Sequence, residues 1–203
     1  MRLVLMEFLS LDGVSQSPGA PDEDPSGGFD RGGWLVPHID DAFLGLVADW
    51  VDTADAFLFG RRTYENFARD WPAITDPSNP FAAKLNGAPK YVASQTLQHA
   101  TWDPTAILSG DVPAAVAELK RQPGRELQIH GSALLGQSLV AAGLVDEIRL
   151  VVAPVIVGSG RRLFPDGGAP AGLRLVRHDT TPSGLAAYVY QPTGSPEHGT
   201  YAA

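Results

Sequence analysis

Short apolar runs of strand length recur along this chain, and as far as about residue 143 they alternate with stretches of helical spacing, after which helix patterns stop. That alternation constrains the fold more than any other feature. Strands interleaved with helices build a parallel sheet covered on both faces, and a helix-free end adds antiparallel strands to it. The strand-like runs are residues 2–9, 54–59, 89–93, 106–108, 126–130, 147–152 with 154–157, 173–177 and 185–190. Helical spacing is carried by Phe43, Leu44, Val47, Trp50 and Val51. Further helices are expected from Thr63 to about Ala68, from Asp111 with Pro113 to Lys120, and from Gly131-Ser132 to Gly143. Pro72, Pro77 and Pro80 read as breaks, and the Pro182/Gly184 turn joins the last two runs into a hairpin. The expected class is α/β, a mixed and mostly parallel central sheet with helices on both faces and an antiparallel C-terminal edge hairpin. No composition break divides it, so residues 1–192 read as a single domain and 193–203 as a polar tail.

Composition narrows the function. At 203 residues the chain is long enough to bury a sizeable core. It has no cysteine, which excludes disulfide scaffolds, thiol nucleophiles, thiolate zinc sites and iron–sulfur clusters. A net charge of −8 disfavours nucleic acid as a partner. No stretch reaches the ~18 uncharged apolar residues of a membrane span. With no signal peptide visible, a cytoplasmic protein is the expectation. The five histidines show no pair at ligand spacing, so no metal site is expected.

Three strand ends carry the chemistry. Phe59-Gly60-Arg61-Arg62-Thr63 ends a strand with a glycine, two guanidinium forks suited to a phosphate, and a threonine that can cap the next helix. Lys90-Tyr-Val-Ala-Ser94-Gln95-Thr96 places hydroxyls directly after a strand, as an ordinary Ser/Thr turn also would. His130-Gly131-Ser132-Ala133-Leu134 opens a helix whose first N–H groups suit an anion, with Ser132 as an alternative cap. Three such ends side by side would form a crevice long enough for a dinucleotide. A Gly-x-Gly-x-x-Gly fingerprint is absent.

These motifs, with Ser10-Leu-Asp-Gly13, Gly143-Leu-Val-Asp-Glu147 and Pro154-Val-Ile-Val-Gly-Ser-Gly160 followed by Leu163-Phe164, occur in an order that resembles the dihydrofolate reductase-like superfamily. The closer resemblance is to the reductase domain of the bifunctional riboflavin-biosynthesis deaminase-reductase and its stand-alone relatives. It implies a reductase using NADPH, with Gly60, Arg61, Arg62 and Thr63 at the adenosine 2′-phosphate. Ser94 and Gln95 would flank that phosphate or the adenine, and Gly131, Ser132, Ala133 and Leu134 would hold the pyrophosphate. Gly158-Ser-Gly160 would lie near the cofactor or the sheet edge. The family often has two glycines, sometimes joined by a cis peptide, where this chain has Gly131-Ser132. The resemblance also implies a homodimer, for which the apolar run 148–157 with the terminal hairpin offers a sheet edge. The deaminase half is absent from this chain, which has no cysteine to ligate its zinc.

The substrate side is less defined. A hydride transfer needs a proton source beside an electrophilic C=N or C=O carbon. The candidate proton donors are the carboxylates near the first strand and helix, Asp12, Asp30, Asp40 and Asp41, with Asp40 and Asp41 taken as the catalytic pair although Asp40 suits a helix cap better than an acid. In folate-reducing relatives an acidic residue on the first helix meets the pteridine ring, but the spacing from Asp40 or Asp41 to Gly60 departs from that pattern, which speaks against dihydrofolate as the substrate. Asp12 is a substrate-side candidate that can also fix its own turn. Residues 14–37, rich in proline and glycine, form a long loop expected to act as a substrate-side lid, with Phe29 or Trp34 as an apolar wall. The competing role for Trp34 is a core plug. The substrate is expected to be a small pterin- or pyrimidine-like heterocycle or a carbonyl compound. A cofactor-binding protein without turnover, acting as sensor or partner module, is the alternative.

Overall fold

The computed structural model describes residues 1–76 and 79–201. The strands are β1 (Arg2–Ser10), β2 (Ala54–Gly60), β3 (Lys90–Ala93), β4 (Thr105–Leu108), β5 (Glu126–His130), β6 (Glu147–Ala153), β7 (Gly172–Thr180) and β8 (Ala186–Gly194). They form one sheet in the order β4-β3-β2-β5-β1-β6-β8-β7. The six strands from β4 to β6 are parallel, and β8 and β7 add the antiparallel edge. The helices are α1 (Asp41–Asp52), α2 (Arg61–Asp70), α3 (Pro80–Gly87), α4 (Val112–Arg121) and α5 (Ala133–Ala141). This is the expected dihydrofolate reductase-like α/β fold.

Alternation along each strand divides the core between two faces. Leu3, Leu5, Leu58 and Ile129 pack with Val116 and Leu119 of α4 and Leu139 of α5. On the opposite face Met6, Phe57 and Phe59 pack with Phe43, Val47 and Trp50 of α1, Tyr64 of α2 and Leu85 of α3. α5 lies so close over β1 that a Cβ on Gly136 would come within 2.8 Å of Leu5 Cδ1. A larger residue there would have to push the Leu5 side chain aside.

Several boundaries differ from the sequence reading. Pro80, read as a break, is the first residue of α3, where its missing N–H costs nothing, and Asn79 caps that helix by accepting from Ala82 N at 3.0 Å. The break expected at Pro77 lies outside the described residues. Residues 154–157 are not a strand: Val155 N turns back to Ala153 O at 2.8 Å. The run 148–157 does not form a sheet edge, because β8 covers β6; of the two elements expected to offer that edge only the terminal hairpin does, through β7, with Leu175 and Val176 exposed. β8 continues to Gly194, two residues into the expected tail, and Ala202 and Ala203 of that tail lie outside the described residues. Among the described residues no helix is long and apolar enough to cross a membrane.

At the amino ends of β5 and β6 lies a closed polar network. Arg149 donates to Glu126 at 2.7 Å and to Glu147 at 2.8 Å, and all three are buried. Its guanidinium also stands 5.8 Å from the Trp50 ring, and Thr53 and Gln128 complete the coordination of Glu126. Burial alone would push Glu126 up, but hydrogen bonds from Thr53, Arg149 and Gln128 outweigh it and hold the carboxyl below its usual range.

Candidate functional site: a cleft across the strand carboxyl ends

A cavity of about 1750 Å³ crosses the carboxyl ends of the central strands. It exceeds the roughly 300–1,000 Å³ of an ordinary small-molecule site, so it has room for a large ligand or for two ligands together. Its walls include Gly60 to Thr63 from the β2–α2 junction and Gly131 to Leu134 from the β5–α5 junction.

The two junctions are stitched together. Ser132 Oγ accepts from Gly60 N at 2.9 Å, and a Cβ on Gly131 would lie 3.3 Å from the Thr63 methyl. Gly131 and Ser132 both adopt left-handed backbone, with φ of 56° and 66°, and the peptide between them is trans. Left-handed geometry is ordinary for glycine but costs a serine about 1–2 kcal/mol. The strain turns the chain so that α5 starts facing the cavity.

Helix starts separate into two kinds. α1, α3 and α4 are capped by the side chains of Asp40, Asn79 and Asp111. α2 and α5, which open on the cavity, have no side-chain cap. Thr63 is therefore not the cap of α2, which starts two residues earlier at Arg61 after Gly60, and Ser132 occupies the cap position of α5 while its hydroxyl serves Gly60. The first N–H groups of both helices, and the positive ends of both macrodipoles, remain for an anion. Arg61 bonds Glu65 at 2.7 Å and also the Thr96 hydroxyl, whereas Arg62 donates to the Ser26 hydroxyl at 3.2 Å.

Other expected site residues lie elsewhere. Ser94 is buried and caps its own turn, accepting from Thr96 N at 3.2 Å and Leu97 N at 2.9 Å; Gln95 donates to Gly110 O at 2.9 Å. Neither forms part of the cavity wall. Asp40 accepts from Phe43 N at 2.8 Å and Ser183 N at 2.9 Å, which places it against the β7–β8 turn, and Asp41 is exposed off the cavity wall. The Phe43 N–H, followed by the Ser183 contacts, keeps the Asp40 carboxyl below its usual range, so it serves as a cap and not as an acid. Asp12 is tied to Val157 N at 3.0 Å, Gly158 N at 2.8 Å and Ser10 Oγ at 2.7 Å, with the Ser10 hydroxyl leading the effects that lower it to about 2. It fixes the turn against the 157–158 segment, away from the wall.

The 14–37 loop is ordered. Ser15 N reaches Arg161 O at 2.9 Å, Asn66 Nδ2 reaches Glu23 O at 2.7 Å, and Arg161 pairs with Asp24. It does border the cavity, but through Ser15 to Ala20, Glu23, Asp24 and Leu35. Phe29 and Trp34 point instead into the core, each 7% exposed, and Trp34 Nε1 donates to Gln16 O at 2.8 Å. The polar atom of each tryptophan needs a partner when buried, and Gln16 O provides it within the loop itself.

Two cavity residues carry chemistry that the sequence reading missed. His130 is buried at the end of β5, with Nε2 2.8 Å from Gln128 Oε1. The Gln128 amide donates to Glu126 at 2.7 Å, so its carbonyl oxygen faces the histidine and Nε2 is the donor. Burial, aided by Arg149, depresses His130 to about 3. Glu7, on β1, is buried too, and burial followed by the nearby Glu23 pushes its carboxyl well above the usual range. Among the described residues no group of acidic and histidine side chains could hold a metal.

The fold and this cleft define an α/β protein with a large cavity across its strand carboxyl ends, onto which two helix starts without side-chain caps open. The chain matches the RibD C-terminal domain family over residues 2–187 and belongs to that family. It is 28% identical over 195 residues to the uncharacterised protein YyaP of Bacillus subtilis, covering 95% of this chain and 96% of that one. Among solved structures it is similar to a riboflavin-biosynthesis-type protein of Shewanella sp. PV-4, with TM-score 0.67, 20% identity and coverage of 95% and 99%. It is also similar to a pyrimidine reductase-like protein of Corynebacterium diphtheriae, with TM-score 0.61, 16% identity and coverage of 94% and 91%.

Proposed function

We propose that the chain is an NADPH-dependent reductase of a small heterocycle with a C=N or C=O bond, of pyrimidine-like type. The observation that carries this reading is the pair of uncapped helix starts, α2 and α5, side by side with Arg61 and Arg62 at one end. A dinucleotide phosphate fits that arrangement: the N–H groups of α5 would receive the pyrophosphate, and the guanidinium of Arg62, with Arg61, the 2′-phosphate. When bound, the dihydronicotinamide supplies a hydride; the protein holds the ring and the substrate together and keeps water away. Phe8, Phe43, Val47 and Leu35 offer apolar wall to a planar substrate. Membership of the RibD C-terminal domain family and likeness to a pyrimidine reductase-like protein support the same class.

Titration with NADPH and NADH, followed by loss of dihydronicotinamide absorbance with pterins, pyrimidines, quinones and aldehydes, tests the reading. We expect NADPH to bind much more tightly than NADH and one heterocycle class to be reduced. Equal affinities would overturn the cofactor assignment, and tight NADPH binding without turnover on any class would leave a binding protein.

A further inference from the structure

Glu7 is 4% exposed, and its Oε1 is a buried side-chain oxygen without a hydrogen-bond partner among the described residues. A buried polar atom in that condition is uncommon and calls for a physical reason. Alternation along β1 puts Glu7 on the face of Leu5 and Leu9, beneath α5, and its side chain lines the cavity. It lies one residue beyond Met6, whose carbonyl accepts from Gly131 N at 3.2 Å. The missing partner is thus located where the β5–α5 junction meets β1.

Strand order indicates what belongs there. Arg61 and Arg62 follow β2, the uncapped start of α5 follows β5, and β1 is the next strand in the sheet. A dinucleotide with its 2′-phosphate at β2 and its pyrophosphate at β5 would bring its nicotinamide towards β1. Resting on the NADPH reading above, we propose that Glu7 is the proton donor of the reduction. Asp12 and Asp40 are ionised and tied to backbone N–H groups elsewhere.

Burial, followed by the nearby Glu23, raises the Glu7 carboxyl well above its ordinary range and so favours its protonated form. The other groups near this part of the cavity do not oppose that. His130 on β5 is held neutral, Arg161 is directed to Asp24, and Arg162 to Asp12. In the reduction, with the bound dihydronicotinamide supplying hydride to the substrate carbon, the C=N or C=O π bond would break and its electron pair would move to the heteroatom. Glu7 gives that atom its proton. The Glu7 carboxylate left behind would regain a proton from water before the next reduction.

This assignment predicts a proton balance that needs no turnover. NADP⁺ carries a positive ring that NADPH lacks, so its binding should draw the Glu7 proton off, while the phosphates contribute equally in both cases. Calorimetric titration of the full chain with each cofactor, in two buffers of different ionisation heat, reads the difference. Wild type should release more protons with NADP⁺ than with NADPH, and Glu7→Gln should bind both and lose that difference. No difference in wild type, or the same difference in Glu7→Gln, overturns the role of Glu7 alone. Absence of binding by either cofactor overturns the NADPH reading and this proposal with it. Should Glu7→Gln not fold, the wild-type comparison and the infrared band of a protonated carboxyl at neutral pH, which Glu7→Leu should lack, still decide.

Discussion

At the amino ends of β5 and β6, Arg149 lies between Glu126 and Glu147, Gln128 and Thr53 close the remaining hydrogen bonds, and Trp50 covers the guanidinium. At the carboxyl ends of β1, β2 and β5, two helices start without side-chain caps, Glu7 Oε1 has no partner among the described residues, and Ser132 sits in strained left-handed backbone. The same few strands therefore close their polar groups at one end and leave them open at the other. Closed groups hold the fold; on the function proposed above, open ones would be preorganised for a ligand that supplies what is missing. Substitutions at the first end should cost stability, and at the second, binding.

The largest effect should come from Arg149→Met. It would leave Glu126 buried without its cation and Glu147 with Arg2 alone, and breaking a buried pair from one side costs about 3–5 kcal/mol. Urea unfolding should show that loss, while cofactor affinity of the folded fraction stays unchanged. A loss of cofactor affinity with little destabilisation would show that the amino-end network is coupled to the cleft.

Acid should weaken the fold through His130. The folded protein holds this imidazole near 3, against about 6.5 in an unfolded chain. The unfolded state thus binds a proton that the folded state refuses. Stability from this group is fully present above about pH 6.5 and is lost as pH falls towards 3, by about 1.4 kcal/mol per unit. Unfolding of wild type and His130→Gln across that window, with the carboxylates common to both, should give a shallower slope for the variant. Parallel curves would mean that His130 is charged or solvated in solution.

Joint replacement of Arg61 and Arg62 by alanine tests the open end. With Arg61 engaged by Glu65, the pair should lose about one charge-assisted contact to the 2′-phosphate, worth about 1.5–3 kcal/mol, so NADPH should bind roughly ten- to a hundredfold more weakly while NADH changes little. Arg62→Ala alone should account for the larger share, since Arg61 already pairs with Glu65. Unfolding midpoints should barely move, because both side chains are exposed.

Periodicity was enough to read the sheet and four of its helices, since Phe43, Val47 and Trp50 or the alternation through Leu3 and Leu5 leave one way to bury each face. α3 escaped because Pro80 reads as a stop unless Asn79 is seen to cap it. In the site, glycine, arginine and the helix-opening serine were legible because their chemistry is local. Asp40 was not, since a cap and an acid look alike until Phe43 N and Ser183 N occupy its oxygens. Trp34 was undecided for a similar reason, as its plug role depends on Gln16 O eighteen residues away. Glu7 gave no signal: an acid inside an apolar strand looks like an interruption, and its meaning depends on α5 lying over β1.

Ser132→Gly should produce the smallest change, and its smallness is informative. Glycine relieves the left-handed strain, worth about 1–2 kcal/mol to a serine at this φ. It also deletes the hydroxyl that accepts from Gly60 N, a neutral hydrogen bond contributing about 0.5–1.5 kcal/mol. The two terms oppose each other, so the unfolding midpoint should shift by less than about 1 kcal/mol in either direction. Binding should respond differently: without the stitch between the two junctions, the α2 and α5 starts lose their fixed spacing, and NADPH affinity should fall a few-fold with little change in stability. If affinity is untouched, the two helix starts act independently. If stability falls by several kcal/mol instead, the stitch belongs with the closed end of the sheet, as a structural bond and not a ligand-ordering one.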